Sequence, residues 1–175
     1  MDTWKEFEAN ELTHSAAHHL LAIHEVGQAY GGWARVSDIA RELNITRGSV
    51  SINLRSLKTR GWVETDEHRL VRLSPTGLKI VQSIMAKRLI VKTFLREVLG
   101  IPESDAEIDS CKIEHLISHS TGQRLAEFVR FLTSGAPASR QLLKHFRTLQ
   151  TTCPDDHTCE ICTGQCLIEE LKHAI

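Results

Sequence analysis

The sequence predicts a mainly α fold interrupted by one small β-hairpin. Three observations carry this. Apolar residues recur at helical spacing along most of the chain, beginning with Ala16, Ala17, Leu20, Leu21 and Ile23. Glycine and proline punctuate the apolar runs, at Gly31, Gly32, Gly61, Gly100 and Pro102. One stretch, "WVETDEHRLVRL", reads as two short strands around a polar turn at Asp66–His68.

Each element follows from its neighbours. A first helix is expected from about Glu11 to Tyr30, broken by "YGGW". A short helix follows in "VSDIARELN", with Ser37 as N-cap and Ile39, Ala40 and Leu43 on one face. After the tight "NIT" turn, Thr46 caps a helix from about Arg47 to Arg60 whose buried stripe is Val50, Leu54 and Leu57. Gly61 stops it and the hairpin begins. Two helices in a tight corner followed by a hairpin describe a winged helix-turn-helix.

Ser74 and Pro75 then open a long helix that keeps its periodicity through Ile84, Val91, Phe94, Leu95 and Val98 up to Gly100. Helices are expected over about Glu107–His119 and Gln123–Leu132, then a linker "TSGAPAS", then a helix over Arg140–Gln150. A cysteine-rich loop and a short amphipathic tail close the chain. The expected division is a winged-helix domain over residues 1–74, a helical domain over 75–135, and a helix plus cysteine-rich tail over 136–175.

Composition narrows the function classes. The chain has 175 residues, 41% hydrophobic and 25% charged, with a net charge of −1, ordinary values for one globular domain or two small ones. No long uncharged apolar run suits a bilayer, and "MDTWKEFEAN" lacks the basic head and apolar stretch of a signal peptide. A cytoplasmic chain without a membrane partner is therefore expected, and its clustered cysteines point to metal or redox chemistry before disulfides. An enzyme is not expected: there is no HExxH, no G-x-S-x-G and no phosphate-binding glycine loop.

Charge is unevenly distributed. From Thr46 to Gly61 there are four basic residues, Arg47, Arg55, Lys58 and Arg60, and no acid. With Val50, Leu54 and Leu57 turned inward, Gly48, Ile52, Arg55 and Thr59 face outward, and Thr46, Arg47 and Ser49 occupy the amino end. Such helices meet base edges through that end. The expected DNA-binding set is Ser37, Thr46, Arg47, Gly48, Ser49, Ser51, Ile52 and Arg55, with Arg69, and Arg72 beside it, in the wing. The arginines suit phosphates or guanine, Gly48 permits close approach, and Ile52 suits a thymine methyl.

Two further groups carry metal chemistry. Cys111, Glu114 and His115 stand at i, i+3 and i+4, one face of one helical turn. Thiolate, carboxylate and imidazole together suit Fe(II), Mn(II), Co(II) or Ni(II), although the triplet also reads as a buried cysteine beside a surface Glu–His pair. Histidines crowd the first helix at His14, His18, His19 and His24.

The stretch "IHEVGQAYGGWARVSDIARELNITRGSVSINLRSLKTRGWVE", the wing after it and "FLREVLGI…SCKIEHLIS" resemble the diphtheria toxin repressor / manganese transport regulator (DtxR/MntR) family. The likeness covers roughly Leu12 to Leu132. It implies a winged helix followed by a helical dimerisation domain, and a homodimer that binds a palindromic operator when loaded with Fe(II) or Mn(II). It implies a regulatory metal site of Cys111, Glu114 and His115, completed from the first helix by the residue five before Ile23. That residue is His18, where family members more often carry Met or Asp. The family's second, ancillary site does not carry over: Arg88 and Lys92 stand at its ligand positions on the long helix, and Glu107 where a histidine precedes the cysteine. Pairing of Arg88 or Lys92 with Glu107 would put a fixed charge where relatives bind an ion.

The tail departs from the family. After Leu132 too few residues remain for the SH3-like barrel of its long members, and the pattern is instead Cys153-x5-Cys159-x2-Cys162-x3-Cys166. Four such thiols suit a [4Fe–4S] or [2Fe–2S] cluster, or structural Zn(II), with His157 able to replace one cysteine. The expected function is thus a metal-dependent transcriptional regulator, a repressor of metal (iron) uptake genes with an added iron–sulfur or zinc site. The competing readings are a small iron–sulfur redox or electron-transfer protein, and a winged-helix interaction accessory of ferrous iron transport.

Overall fold

A computed structural model describes residues 12–148; the four-cysteine segment lies outside them. The elements run α1 (His14–Gln28), α2 (Val36–Glu42), α3 (Arg47–Thr59), β1 (Val63–Thr65), β2 (Val71–Leu73), α4 (Pro75–Thr93), a π-helical turn (Phe94–Val98), α5 (Glu103–Ile113), α6 (His119–Thr133) and α7 (Pro137–Thr148). No helix among the described residues is long and apolar enough to cross a membrane.

The first half is a winged helix-turn-helix. Thr13 caps α1 by accepting from the Ala16 amide at 3.2 Å. Thr46 caps α3 by accepting from the Ser49 amide at 3.1 Å. Between α2 and α3, Asn44 adopts φ 53°, a conformation that asparagine tolerates better than most residues. The hairpin pairs Val63 with Leu73, Glu64 with Arg72 and Thr65 with Val71, and Ala34 adds a bridge on the far side of Val71. One core joins these parts: Leu20 and Ile23 of α1, Ile39 of α2, Val50 and Leu57 of α3, then Trp62, Val63 and Val71, closed by Val81 of α4. Burying large apolar side chains of this kind stabilises by about 1.5–3 kcal/mol each.

The hairpin is locked to α4. The Ser74 amide donates to Trp62 O at 3.0 Å. Its hydroxyl donates to Gly61 O at 2.7 Å and accepts from the Gly77 amide at 3.0 Å. Gly77 lies so close to the Trp62 carbonyl that a Cβ would collide with it. The wing therefore cannot rotate freely against α4.

Three expectations are corrected. Ser37 is not an N-cap: α2 begins at Val36 after Arg35, and Ser37 sits inside the first turn, 3.4 Å from Asp38 Oδ1. The long helix does not stay α-helical to Gly100; after Thr93 it widens into a π-helical turn, with Leu99 N bonding Phe94 O at 3.2 Å. The next helix covers Glu103–Ile113 rather than Glu107–His119. Its start is set by Pro102, whose carbonyl accepts from the Ala106 amide at 2.9 Å, and by Glu103 and Asp105 in the first turn.

Gly77→Ala is expected to destabilise the protein by about 2–4 kcal/mol in denaturant unfolding, through collision with Trp62 in an already packed joint; a change below about 0.5 kcal/mol would mean the wing is not held as described.

Candidate metal centre and DNA-facing helix

The metal candidates gather where α1, α4 and the end of α5 meet. His18 on α1 and Cys111 on α5 are 93 residues apart in sequence, yet Nε2 and Sγ stand 3.4 Å apart. Past Ile113 the backbone stays helical through Glu114, with φ −50° and ψ −36°, so the i, i+3 relation to Cys111 survives although the helix ends. Glu114 is fully buried and His115 nearly so. Two adjacent residues of α4 clamp this turn. Lys87 Nζ donates to Ile117 O at 2.7 Å. Arg88 reaches Glu107 Oε1 with Nη2 at 2.8 Å and faces Glu114 Oε2 with Nε at 3.6 Å.

The Glu114 carboxylate is the anomaly. Neither oxygen accepts a hydrogen bond, and 3.6 Å to Arg88 is too long for one. Burial pushes its carboxyl up to about 7, with Arg88 opposing and Glu107 adding to the rise. Burial raises the Cys111 thiol as well, again against Arg88. Burial also lowers His18 and His115, and the neighbouring imidazole of His14 lowers both further. Burial holds each group toward its uncharged form, and Arg88 offsets this only in part at the carboxyl and the thiol. Neutral imidazole is already the ligating form, and a cation would reverse the penalty on carboxylate and thiolate. The donors therefore fit a divalent transition ion. They are neighbours rather than a closed shell: among the described residues no three His, Cys, Asp or Glu side chains already converge on one point.

Of the four histidines on α1, only His14 and His18 point to this corner. Their rings are 4.3 Å apart, and His14 is 4.9 Å from the ring of His115. His19 is turned inward, bonded through Nδ1 to Ser15 O at 2.7 Å, and His24 contacts Gln28 at 3.3 Å. Sequence reasoning did not single out His14, although its i−4 spacing from His18 was the signal.

The ancillary position is filled by ion pairs. Lys92 bridges Glu103 at 2.6 Å and Glu107 at 2.7 Å, and Arg96 also meets Glu103 at 2.6 Å. With Arg88 this makes one continuous array of three cations and two carboxylates between α4, the π-helical turn and α5.

On α3, Thr46, Arg47, Gly48, Ser49, Ser51, Ile52 and Arg55 are all exposed, Ile52 by 67%. Ser37 and Arg41 flank a shallow depression that ends at Thr46 and Arg47. Arg69 sits at the wing tip with φ 62°. Arg72 pairs with Glu64 at 2.7 Å and lies over the Trp33 ring at 4.6 Å, contacts that brace the wing.

Comparison with known proteins agrees with this architecture. Residues 74–146 match the family model "Iron dependent repressor, metal binding and dimerisation domain", and residues 11–70 match the MarR family model. The regulator MntR of Bacillus pumilus is 31% identical over 111 residues, covering 63% of this chain and 76% of that protein. An uncharacterised HTH-type transcriptional regulator of Methanocaldococcus jannaschii is 30% identical over 95 residues, covering 54% and 76%. Among solved structures, T. acidophilum IdeR is 30% identical with a TM-score of 0.54, over 66% of this chain and 53% of that one. The manganese regulator SloR shares the fold, with 20% identity, a TM-score of 0.59, and coverage of 66% and 54%. The chain thus spans about half the length of these two solved regulators.

Fold and site together define a winged-helix transcriptional regulator whose second half is a helical metal-binding domain. The chain belongs to the DtxR/MntR family of metal-dependent transcriptional regulators.

Proposed function

We propose that this chain is a repressor that responds to Fe(II) or Mn(II), binds a palindromic operator as a homodimer, and controls genes for uptake of that metal. His18, Cys111, Glu114 and His115 are its metal ligands. The observation that carries this reading is the fully buried Glu114 carboxylate, without a hydrogen bond on either oxygen, in the corner where His18 meets Cys111.

A divalent ion bound there adds bonds to a carboxylate whose one cation, Arg88 at 3.6 Å, is too far to hydrogen-bond it, and those bonds tie α1 to α5. His18 moves with α1, and α1 shares its core with α3 and the wing. Cys111 and Glu114 move with α5, which α4 holds through Lys87, Arg88 and Lys92. Fixing His18 against Cys111 therefore fixes the posture of α3. A ligand that binds one posture better shifts the population toward it. Arg47 and Arg55 meet phosphates or guanine, and Ile52 meets a thymine methyl. The Arg88–Lys92–Glu107 array stands in for a second ion, giving permanently the cross-link that an ancillary metal would give conditionally.

Outside the described residues, Cys153, Cys159, Cys162 and Cys166 hold a second centre, iron–sulfur or zinc. It adds a response to cluster supply or oxidant in the first case and a structural clasp in the second.

His18→Ala is expected to abolish metal-activated operator binding in fluorescence anisotropy while light scattering still reports a dimer; a variant that keeps its metal response would show that α1 contributes no ligand through His18. Protein purified without oxygen from iron-replete cells is expected to carry a visible absorption band and acid-labile sulfide, with iron at least equal to the sulfide. Colourless protein with one zinc per chain would assign the tail to zinc, and metal-free protein would remove the second centre altogether.

A further inference from the structure

His14 is assigned no role by the Cys-x-x-Glu-His triplet or by the family resemblance. It opens α1 one turn before His18, and its ring lies 4.3 Å from that of His18 and 4.9 Å from that of His115. It thus links the donor on α1 to a donor on the turn after α5. The rings are tilted by 58° and 49° rather than stacked, so their nitrogen edges are not locked face to face. The position is exposed, and the helix start does not depend on it, because Thr13 caps the first turn. An exposed imidazole beside two others, at the mouth of a corner that also holds a thiol and an unsatisfied carboxylate, is placed to add a nitrogen to the same centre.

We infer that His14 is an additional ligand of the regulatory metal site, giving it three imidazoles beside Cys111 and Glu114. This rests on the metal-site reading above. The consequence is selectivity: imidazole nitrogen suits iron, nickel, copper and zinc, whereas manganese is served as well by carboxylate and water. A third imidazole moves the site away from Mn(II), and His14 is the residue that does so.

The test uses the full-length chain and Mn(II) as probe, because a thiolate-rich tail site is a poor manganese site. Free Mn(II) is titrated by electron paramagnetic resonance, and coupled imidazole nitrogens are counted from electron spin echo modulation. Parent protein, His14→Ala, His14→Gln and His18→Ala are compared, with apo-protein melting curves to confirm that each variant folds. The expected result is three imidazoles in the parent and two in each His14 variant, with Mn(II) dissociation constants raised about tenfold or more. In competition with Fe(II), the parent's preference for Fe(II) falls in the His14 variants. If the His14 variants match the parent while His18→Ala loses one imidazole and affinity, the inference about His14 is overturned and the metal site stands. If His18→Ala also matches the parent, the metal site itself is misassigned and the inference falls with it.

Discussion

A carboxylate buried without a hydrogen bond is the constraint on which this structure turns. Glu114 stands at a corner where the winged helix and the helical domain meet, and neither of its oxygens accepts a hydrogen bond. Leaving a buried carboxylate without hydrogen bonds is costly. The protein tolerates it by holding the carboxyl toward its protonated form and by keeping Arg88 within 3.6 Å. Both are partial remedies. A divalent ion is a complete one, and it would satisfy Cys111 and the imidazoles at the same time. The free energy gained there is available to choose one arrangement of the two halves over others.

The rest of the fold decides where that choice is felt. Trp62, Ser74 and Gly77 weld the wing to α4, so α4 and the DNA-facing unit move together at that point. The ion pairs of Arg88, Lys92 and Arg96 with Glu103 and Glu107 staple α4 to α5. These bridges are partly exposed, and their strength lies in forming an array, since single surface pairs contribute little. Where α1 meets α5, at His18 and Cys111, the chain offers two metal donors 3.4 Å apart rather than an ion pair.

Most of the architecture was legible in the sequence. Thr46 announces α3, Ser74–Pro75 announces α4, and Gly61 ends the recognition helix, because these residues act through local hydrogen bonds and backbone preferences. The triplet Cys111, Glu114, His115 was visible for the same reason. What escaped was tertiary or cooperative. The expected N-cap at Ser37 failed because the chain turns into α2 two residues earlier, at Arg35, with Ile39 and Ala40 drawn onto the core. The bounds of α5 were misplaced because Ser118 starts a new helix where the apolar spacing alone would have continued the old one. The partners of Arg72, Glu64 and the Trp33 ring, were not visible either, because folding brings them together. His14 could have been found from its spacing to His18, yet nothing in the sequence says that this face of α1 meets the turn after α5.

The central claim is that Glu114 needs a cation, and replacing its carboxylate by an amide of the same shape tests it most directly. The measurement is the thermal midpoint of Glu114→Gln and parent proteins at pH 7.5, each with and without Mn(II). Opposite signs are expected in the two conditions: the metal-free variant melts no lower than the metal-free parent, because a buried charge has been removed, and the rise in midpoint that Mn(II) gives the parent is lost. A variant that is less stable without metal and still stabilised by Mn(II) to the same extent would contradict it.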